Sequence, residues 1–586
     1  MTVPGAAQGA AARKRRAAPA PFLVFYPLLF CNDMTIRGLL EGCAMRIPAN
    51  IALRWNEDGE WHFKTWNRFL QDVRETAEGY ATRFGLKPRE EHTAIILPNH
   101  PHWMVSYLAQ AGAGIAVVPV DPKLRAEEVR YILEDAEVTV VTTDKAHLRM
   151  FMEIAPSLPK LRGIVVTDGV IFDGRKIAQA DVVGLKSLMI RDGGEWYDAN
   201  EARPDDIASI IYTSGTTGKP KGAMLTHSNF LHDIVGGLRC FGAKITEKDS
   251  FFVVLPLFHA FSFTTNFVCP MVMGAQICFM QSLRTVVQDI KTLKPSIMMA
   301  VPLLAEKIYE KIDEALKKSR AARTLMKIGL RGPVMHMVKM RLGGRLRFMI
   351  TGGAPCPTHV LKGFNRMHIR FLEGYGLTEC APVVSVCGPE IDAVGSIGKA
   401  VEGIEVRLAD KNTAGVGELQ VRGKIVMKGY WRNETATAEA FDGDWFKTGD
   451  LASIDENGVI YIRGRKKALI VNREGKNIYP EEVENCIAKE PCIADILVLG
   501  YTEGGIPGER VGAIVHPDEE WFKARNGGRL PAWEEMEKAA LKAVHDRCSE
   551  LADYKRPRKV VASRDPLERT SVGKVRRVTY KGRLDE

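Results

Sequence analysis

Short apolar runs rich in β-branched residues alternate with helical patterns through most of the chain, and this alternation constrains the fold more than any other feature. Residues 93–97 read as a buried strand, followed by a helix through Trp103 to Gly112. Residues 115–120 form the next strand, 124–134 a helix, and 138–142 a strand again. Strands that alternate with helices line up in parallel, because each helix carries the chain back across the sheet. Residues 207–212 predict another short strand that runs into a Ser/Thr/Gly loop. Residues 295–350 read as a strand, a long amphipathic stretch, and a strand at 347–351. Between Gly395 and Gly429, runs such as 404–408 and 418–422 alternate with glycine turns, which predicts β-rich structure. Beyond Gly464 the pattern changes to strands near 496–499 and 511–515 and a helix through Trp533 to Leu551.

The expected fold class is therefore α/β. A large N-terminal domain of parallel α/β sheet subdomains plus a β-rich subdomain spans residues 34–465. A small α+β C-terminal domain spans residues 466–586, with the boundary near residues 465–468. Residues 1–33 are expected to be a disordered extension. The length of 586 residues allows about three to five domain-sized units.

The composition is that of an ordinary globular chain, at 46% hydrophobic and 26% charged, which excludes a disordered chain, a collagen-like chain and a small disulfide scaffold. Lys plus Arg is 81 and Asp plus Glu 71, a formal net charge of +10. Arg13 to Arg16 supply four of those charges, and residues 553–586 carry 11 basic against 5 acidic residues. On average the middle is nearly neutral, which argues against a general nucleic-acid coat. A basic end suits an anionic ligand, or simply a solvated surface. The 11 cysteines form no C-x-x-C and no zinc spacing, which fits reduced thiols in a cytoplasmic protein.

The basic run at 13–16 precedes an apolar run at 22–30, a superficial signal-peptide pattern. Pro27 interrupts it and no small-residue cleavage site follows. The preferred expectation is a weakly surface-binding extension, or an over-long start with the working protein beginning near Met34. The most apolar region, 251–280, contains Pro256, His259, Asn266, Pro270 and Gln276, and reads as buried strand and helix rather than as a membrane span.

Four segments carry chemistry. Tyr212-Thr-Ser-Gly-Thr-Thr-Gly-Lys-Pro-Lys-Gly222 follows a strand. Its glycines let backbone N–H groups approach phosphate oxygens, its hydroxyls add donors, and Lys219 and Lys221 add positive charge. It is not a Walker loop. Glu373-Gly-Tyr-Gly-Leu-Thr-Glu379 is a glycine-rich turn ending in a hydroxyl and a carboxylate. There Thr378 can contact a phosphate, Glu379 can hold Mg²⁺, and Tyr375 offers a face for a flat ring. Alone, it reads rather as a turn and helix cap. Thr448-Gly-Asp450 is followed by Arg465, and a carboxylate there would accept both ribose hydroxyls. Arg569-Thr-Ser-Val-Gly-Lys574 lies near the end, where a lysine after a glycine turn is ordinarily solvent-exposed.

In this order and spacing, the segments resemble the adenylate-forming superfamily, which includes acyl-CoA synthetases, luciferases and peptide-synthetase adenylation domains. The resemblance covers about residues 35–580. Val301-Pro-Leu-Leu-Ala-Glu-Lys-Ile-Tyr-Glu-Lys311 and Met349-Ile-Thr-Gly-Gly-Ala-Pro355 resemble the medium- and long-chain fatty-acyl-CoA synthetases in particular.

The resemblance implies two steps. A carboxylate attacks the ATP α-phosphate with loss of pyrophosphate, and coenzyme A then captures the acyl-adenylate. It implies that Thr213, Ser214, Gly215, Thr216, Thr217 and Gly218 wrap the β- and γ-phosphates, with Lys221 nearby. Gly352, Gly353 and Ala354 line the adenine, and Tyr375 stacks on it. Thr378 touches the α-phosphate, Glu379 and Thr217 bind Mg²⁺, and Asp450 with Arg465 holds the ribose. Lys574 bridges the carboxylate and α-phosphate, where a mobile ammonium neutralises developing charge. His259 matches the gate between the acyl and nucleotide pockets, and otherwise reads as a packed histidine.

The resemblance also implies a mobile C-terminal domain that turns about Arg465-Lys-Lys467, with Lys467 as pivot. The turn places Gly475 at the pantetheine tunnel and brings Lys555, Arg556 and Arg558 toward the CoA phosphates. Ala468 stands where the family usually has an acidic residue, and Arg473-Glu474-Gly475 departs from the usual Ser-Gly or Ser-Gly-Gly. Both departures bear on thioester formation rather than on adenylation.

Ala260, after His259, lacks the Asp of amino-acid-activating members and the Asn of many aryl-acid members, so an unadorned acid is expected. Phe258, Phe261, Phe263, Phe267, Val268 and Met271 supply apolar surface there, or core. The expected activity is a fatty-acyl-CoA ligase using ATP, Mg²⁺ and coenzyme A. The alternatives are an aryl (benzoate-like)-CoA ligase and a ligase that delivers to an acyl carrier protein. No nucleic-acid partner is expected. Charge and substrate permit peripheral membrane contact, and monomer and homodimer both stay open.

Overall fold

The computed structural model describes residues 32–169, 174–213, 219–240, 245–328, 331–353, 356–388, 395–472, 474, 476–502, 509–569 and 575–585. The N-terminal extension lies almost wholly outside them.

Among the described residues, two large sheets dominate. One has nine strands, six of them parallel in the order Arg370–Gly376, Phe348–Gly352, Ile297–Ala300, Ser250–Val253, Gln276–Phe279 and Ile51–Glu57. Antiparallel strands close both edges. The other has eight strands, with Ile207–Thr213, Ala116–Pro119, His92–Ile96, Val138–Thr143, Gly163–Val166 and Ala180–Gly184 in parallel. Ile51–Glu57, Gly163–Val166, Ala180–Gly184 and Arg370–Gly376 were not expected from the alternating pattern, the last running into the segment read as a glycine-rich turn, whereas the strands expected at 93–97, 115–120, 138–142, 207–212, near 295 and at 347–351 are among these. Their residues are buried on both faces, as helix-covered parallel strands require.

An aromatic cluster between the sheets locks them together. Trp103 and Tyr107, on the helix Pro101–Ala111, stack at 5.4 Å and pack against Phe263 and Phe267 of the other half. Phe263–Val268 is a π-helical turn, wider than an α-helix, and follows directly on the short helix Ala260–Ser262.

An antiparallel five-stranded sheet follows, including Ile404–Ala409, Gly417–Gly423, Trp445–Ile454 and Ile460–Arg465. After Arg465 the pairing changes partners. Ile470–Val471 pairs with Asn477–Ile478, and Ile493–Tyr501, Arg510–Pro517 and Lys559–Ala562 form a separate sheet with its own core of Val498, Val515, Ala540 and Val544. No described helix is long and apolar enough to cross a membrane.

Candidate active site

In an open parallel sheet, ligands sit beyond the carboxyl ends of the strands, where side chains diverge and loops can be shaped freely. Among the described residues, Gly352, Gly353, Tyr375, Thr378 and Glu379 of the predicted site lie at that edge of the nine-stranded sheet. Gly352 ends its strand directly opposite Gly374 of the next. A Cβ on Gly352 would meet the Gly374 carbonyl oxygen at 3.1 Å and the Phe261 ring at 3.6 Å. Glycine therefore keeps a flat space open at this edge, with the Ala260–Ser262 helix beside it. Gly353 takes a left-handed φ of +84°, which glycine adopts without strain.

Two residues past Gly374, Gly376 has a different task. A Cβ there would lie 1.8 Å from the Pro382 carbonyl oxygen, so the returning strand excludes any side chain. That close return sets the turn Thr378–Cys380, which carries Thr378 and Glu379.

Tyr375 donates its hydroxyl to Asp450 Oδ2, and Arg465 Nε sits 2.7 Å from Asp450 Oδ1. Asp450 and Arg465 are register partners on adjacent antiparallel strands, so the pair follows from the strand pairing itself. The Asp450 carboxylate is buried and meets a donor on each oxygen, Tyr375 on one and Arg465 on the other. Burial, and after it the Asp450 carboxylate, push the Tyr375 phenol well above its ordinary range, so it remains a donor. Around this pair, Glu418 accepts from the Gly449 backbone N–H at 3.2 Å and binds Lys466 Nζ at 2.7 Å. One buried carboxylate thus ties together the two chain segments that carry Asp450 and Arg465.

Glu379 belongs to a second group. Tyr430 donates its hydroxyl to Glu379 Oε1 at 2.9 Å, and Lys221 Nζ lies 5.3 Å from the centre of the Tyr430 ring. Backbone bonds from Met224 to Gly429, Lys428 to Met224 and Trp431 to Gly222 pin the Tyr430 segment along the strand Lys221–Thr226. Thr213 and Lys221 face each other across the antiparallel pair at the base of the Ser/Thr/Gly loop. Tyr212 donates to Asp135, and Tyr131 donates to the Pro220 carbonyl at 3.2 Å, which anchors that base to the helix Ala126–Asp135. Ser214, Gly215, Thr216, Thr217, Gly218, Ala354, Gly475 and Lys574 lie outside the described residues.

His259 caps the helix Ala260–Ser262, its Nδ1 accepting from the Phe261 N–H at 3.3 Å. The amide of Asn99 holds the segment before it, donating to the Leu255 carbonyl and accepting from the Leu257 N–H, both at 2.8 Å. Thr264, in the π-helical turn, donates to the Ala381 carbonyl at 2.9 Å and so ties the His259 segment to the Glu379 turn. Of the apolar residues around His259, Phe263, Phe267, Val268 and Met271 are packed core, and only Phe258 and Phe261 keep exposed surface.

Asn99, Thr264, Glu418 and Tyr430 were not singled out from sequence. Each acts through a partner far along the chain, and nothing local in the sequence announces that. Among the described residues no group of three or more His, Cys, Asp or Glu gathers as a self-sufficient metal cage. A single Glu379 instead suits Mg²⁺ that arrives with phosphate oxygens, since this ion needs only one or two carboxylates from the protein.

A family model described as AMP-binding enzyme matches residues 40–431. The chain is 30% identical over 499 residues to the long-chain-fatty-acid–CoA ligase FadD15 of Mycobacterium bovis, covering 80% of this chain and 79% of that one. It is 31% identical to long-chain-fatty-acid–CoA ligase 1 of Cavia porcellus, over 76% of this chain and 68% of that one. Among solved structures it resembles an anthranilate CoA ligase in complex with anthranoyl-AMP, at a TM-score of 0.73 and 20% identity over 96% of this chain and 98% of that one. It also resembles o-succinylbenzoate coenzyme A synthetase from Bacillus subtilis in complex with AMP, at a TM-score of 0.72 and 24% identity over 94% and 98%. At these identities the two structures speak for the shared fold.

Proposed function

The chain belongs to the AMP-binding enzyme family, and on that premise we propose that it is an ATP-dependent acyl-CoA synthetase acting on a medium- or long-chain fatty acid. The observation that carries this reading is the convergence of two groups, Tyr375–Asp450–Arg465 and Glu379–Tyr430–Lys221, on the edge beside Gly352. The curated relatives named long-chain-fatty-acid–CoA ligases support the choice of acid. Ala260 agrees with it, offering no polar contact to an amino or hydroxyl substituent.

Asp450 accepts from the ribose hydroxyls while Arg465 and Tyr375 hold its carboxylate still. The slot at Gly352 and Gly353 receives the adenine, with the Tyr375 ring against it. Glu379, oriented by Tyr430, takes part in holding Mg²⁺, which neutralises phosphate charge when bound. Thr213, Lys221 and the adjoining residues 214–218 surround the outer phosphates. Catalysis is then positioning and charge stabilisation, since little covalent chemistry falls to the protein. Lys574 meets the carboxylate and α-phosphate during adenylation. Residues 466–586 act as a small domain turning about Lys467, which brings the segment of Gly475 to coenzyme A.

The test is pyrophosphate release from ATP across acetate, octanoate, palmitate and benzoate, with and without coenzyme A. Release with octanoate or palmitate and CoA-dependent AMP turnover is the expected result. Preference for benzoate overturns the fatty-acid reading. Release without CoA turnover overturns the choice of acceptor in favour of a carrier protein, with Ala468 and Glu474 as the residues to exchange.

A further inference from the structure

The near-neutral average of the chain's middle conceals a strong local excess. Residues 317–347 contain ten lysines and arginines and no aspartate or glutamate. This stretch begins in the last turn of the helix Pro302–Lys318, about 25 Å long at 1.5 Å per residue, and includes the helices Arg320–Lys327 and Arg331–Arg341. Val334, Val338 and Leu342, four residues apart, are buried, and Val338 and Leu342 join the core under the sheet. Met340 projects away from that buried stripe, and Met337 and Arg341, which flank it, are also exposed. Arg320, Arg323 and Lys327 are exposed on the shorter helix, next to Met326 and Ile328. Ile328 is 65% and Met340 56% exposed. Lys317 and Lys318 pair with Asp313 and Glu314, and Arg347 with Asp249. Arg320, Arg323, Lys327, Lys339 and Arg341 form no ion pair among the described residues.

This surface does not serve the nucleotide. Arg345 donates to the Lys248 carbonyl and Arg347 pairs with Asp249, both just before the strand Ser250–Val253. The basic helices thus end at the amino edge of the nine-stranded sheet, opposite the carboxyl edge that holds Gly352. Phosphates bound there would be on the wrong side for the chemistry described above.

We infer that these two helices are a docking surface for an anionic phospholipid bilayer. Exposed cations interleaved with exposed aliphatic side chains match the two layers of a bilayer interface, acidic headgroups above and acyl chains below. An acidic protein partner would satisfy the charges but gives no reason for Ile328 and Met340 to stand in water. The inference rests on this surface and is independent of which acid the enzyme activates.

The test is flotation of the full-length protein with vesicles of pure phosphatidylcholine and of phosphatidylcholine containing phosphatidylglycerol. Binding is expected only with the anionic lipid and is expected to weaken as salt rises. Replacing Arg320, Arg323 and Lys327 together by Gln should weaken binding about 10²-fold, at about fivefold per charge. Pyrophosphate release with soluble octanoate should stay unchanged in that variant, which shows it folded. Replacing Ile328 and Met340 by Ser should weaken binding severalfold without changing its salt slope. A second charge variant, with residues 13–16 all Gln, tests the basic run near the start of the sequence. Loss of binding in that variant alone overturns the inference. So does equal binding to both vesicle types, or capture by an acidic carrier protein but by neither vesicle.

Discussion

Asp450 and Asp233 are equally hidden from water, at 2% and 0% exposure, yet they live in opposite surroundings. Asp450 has Tyr375 on one oxygen and Arg465 on the other. Asp233, on the helix His227–Cys240, accepts from the Val383 N–H at 2.9 Å through Oδ1, and its Oδ2 has no partner among the described residues. Its neighbours include the buried thiols of Cys269 and Cys380. Burial pushes the Asp233 carboxyl well above its usual range, only partly countered by the Val383 amide. Burial alone therefore does not mark a working carboxylate. The donors around it decide whether it stays charged and ready to accept, or keeps its proton and serves as packing.

The sharpest way to break this contrast is to exchange each carboxylate for its amide. Asp450→Asn is expected to slow pyrophosphate release about 10²–10³-fold, on the scale of losing one preorganised electrostatic contact. Asp233→Asn should leave the rate within about twofold, and an equal loss in both variants would erase the distinction. Next in size, Arg465→Gln removes the cation beside the buried Asp450 carboxylate. It should cost about 1.5–3 kcal/mol of the hydrogen bond to a charged group, read as a tenfold or greater fall in kcat/KM for ATP.

A third test separates the two by pH. In the unfolded chain the Asp233 carboxyl titrates near its ordinary 3.8, whereas the folded protein retains that proton to higher pH. Folding therefore binds a proton above about pH 4, and stability declines as pH rises until the folded carboxyl also ionises, by up to about 1.4 kcal/mol per pH unit. Asp233→Asn removes this dependence and keeps an oxygen for the Val383 amide. Melting temperatures of the two proteins should nearly coincide near pH 4 and separate in favour of the variant toward pH 8. Parallel curves would show that Asp233 is ionised in the fold. The smallest effect belongs to Tyr375→Phe, which removes one donor to Asp450 and keeps the ring. About 1 kcal/mol is expected, seen as a several-fold rise in KM for ATP.

Only the Asp450 side of this contrast was readable in the chain, and Asp233 was not singled out. The alternation of β-branched runs and helical patterns located the strands at 93–97, 115–120, 138–142, 207–212 and 347–351, because strands covered on both faces leave unbroken apolar runs, but it missed others such as Ile51–Glu57 and Arg370–Gly376. Tyr375, Asp450 and Arg465 were named from their motifs, and the strand register brings them together. What escaped depends on contacts that no local pattern encodes. Asn99 clamps a segment more than 150 residues away, and Tyr430 reaches Glu379 only because its backbone pairs beside Lys221. The basic helices escaped for another reason, since averaging charge over hundreds of residues removes the feature that matters.

The motif Glu373–Glu379 contains two glycines that look interchangeable on paper. At Gly374 an added Cβ finds its nearest neighbour, the Ser385 carbonyl, at 3.6 Å, which is ordinary contact. At Gly376 it would collide with the Pro382 carbonyl. The first position thus stays open to small replacements that change only the shape of the slot, while the second admits none without moving the turn that carries Thr378 and Glu379. For anyone diversifying this enzyme, residue 374 is a tuning position and residue 376 a fixed point, and a library that randomises both equally spends half its variation where no active sequence exists.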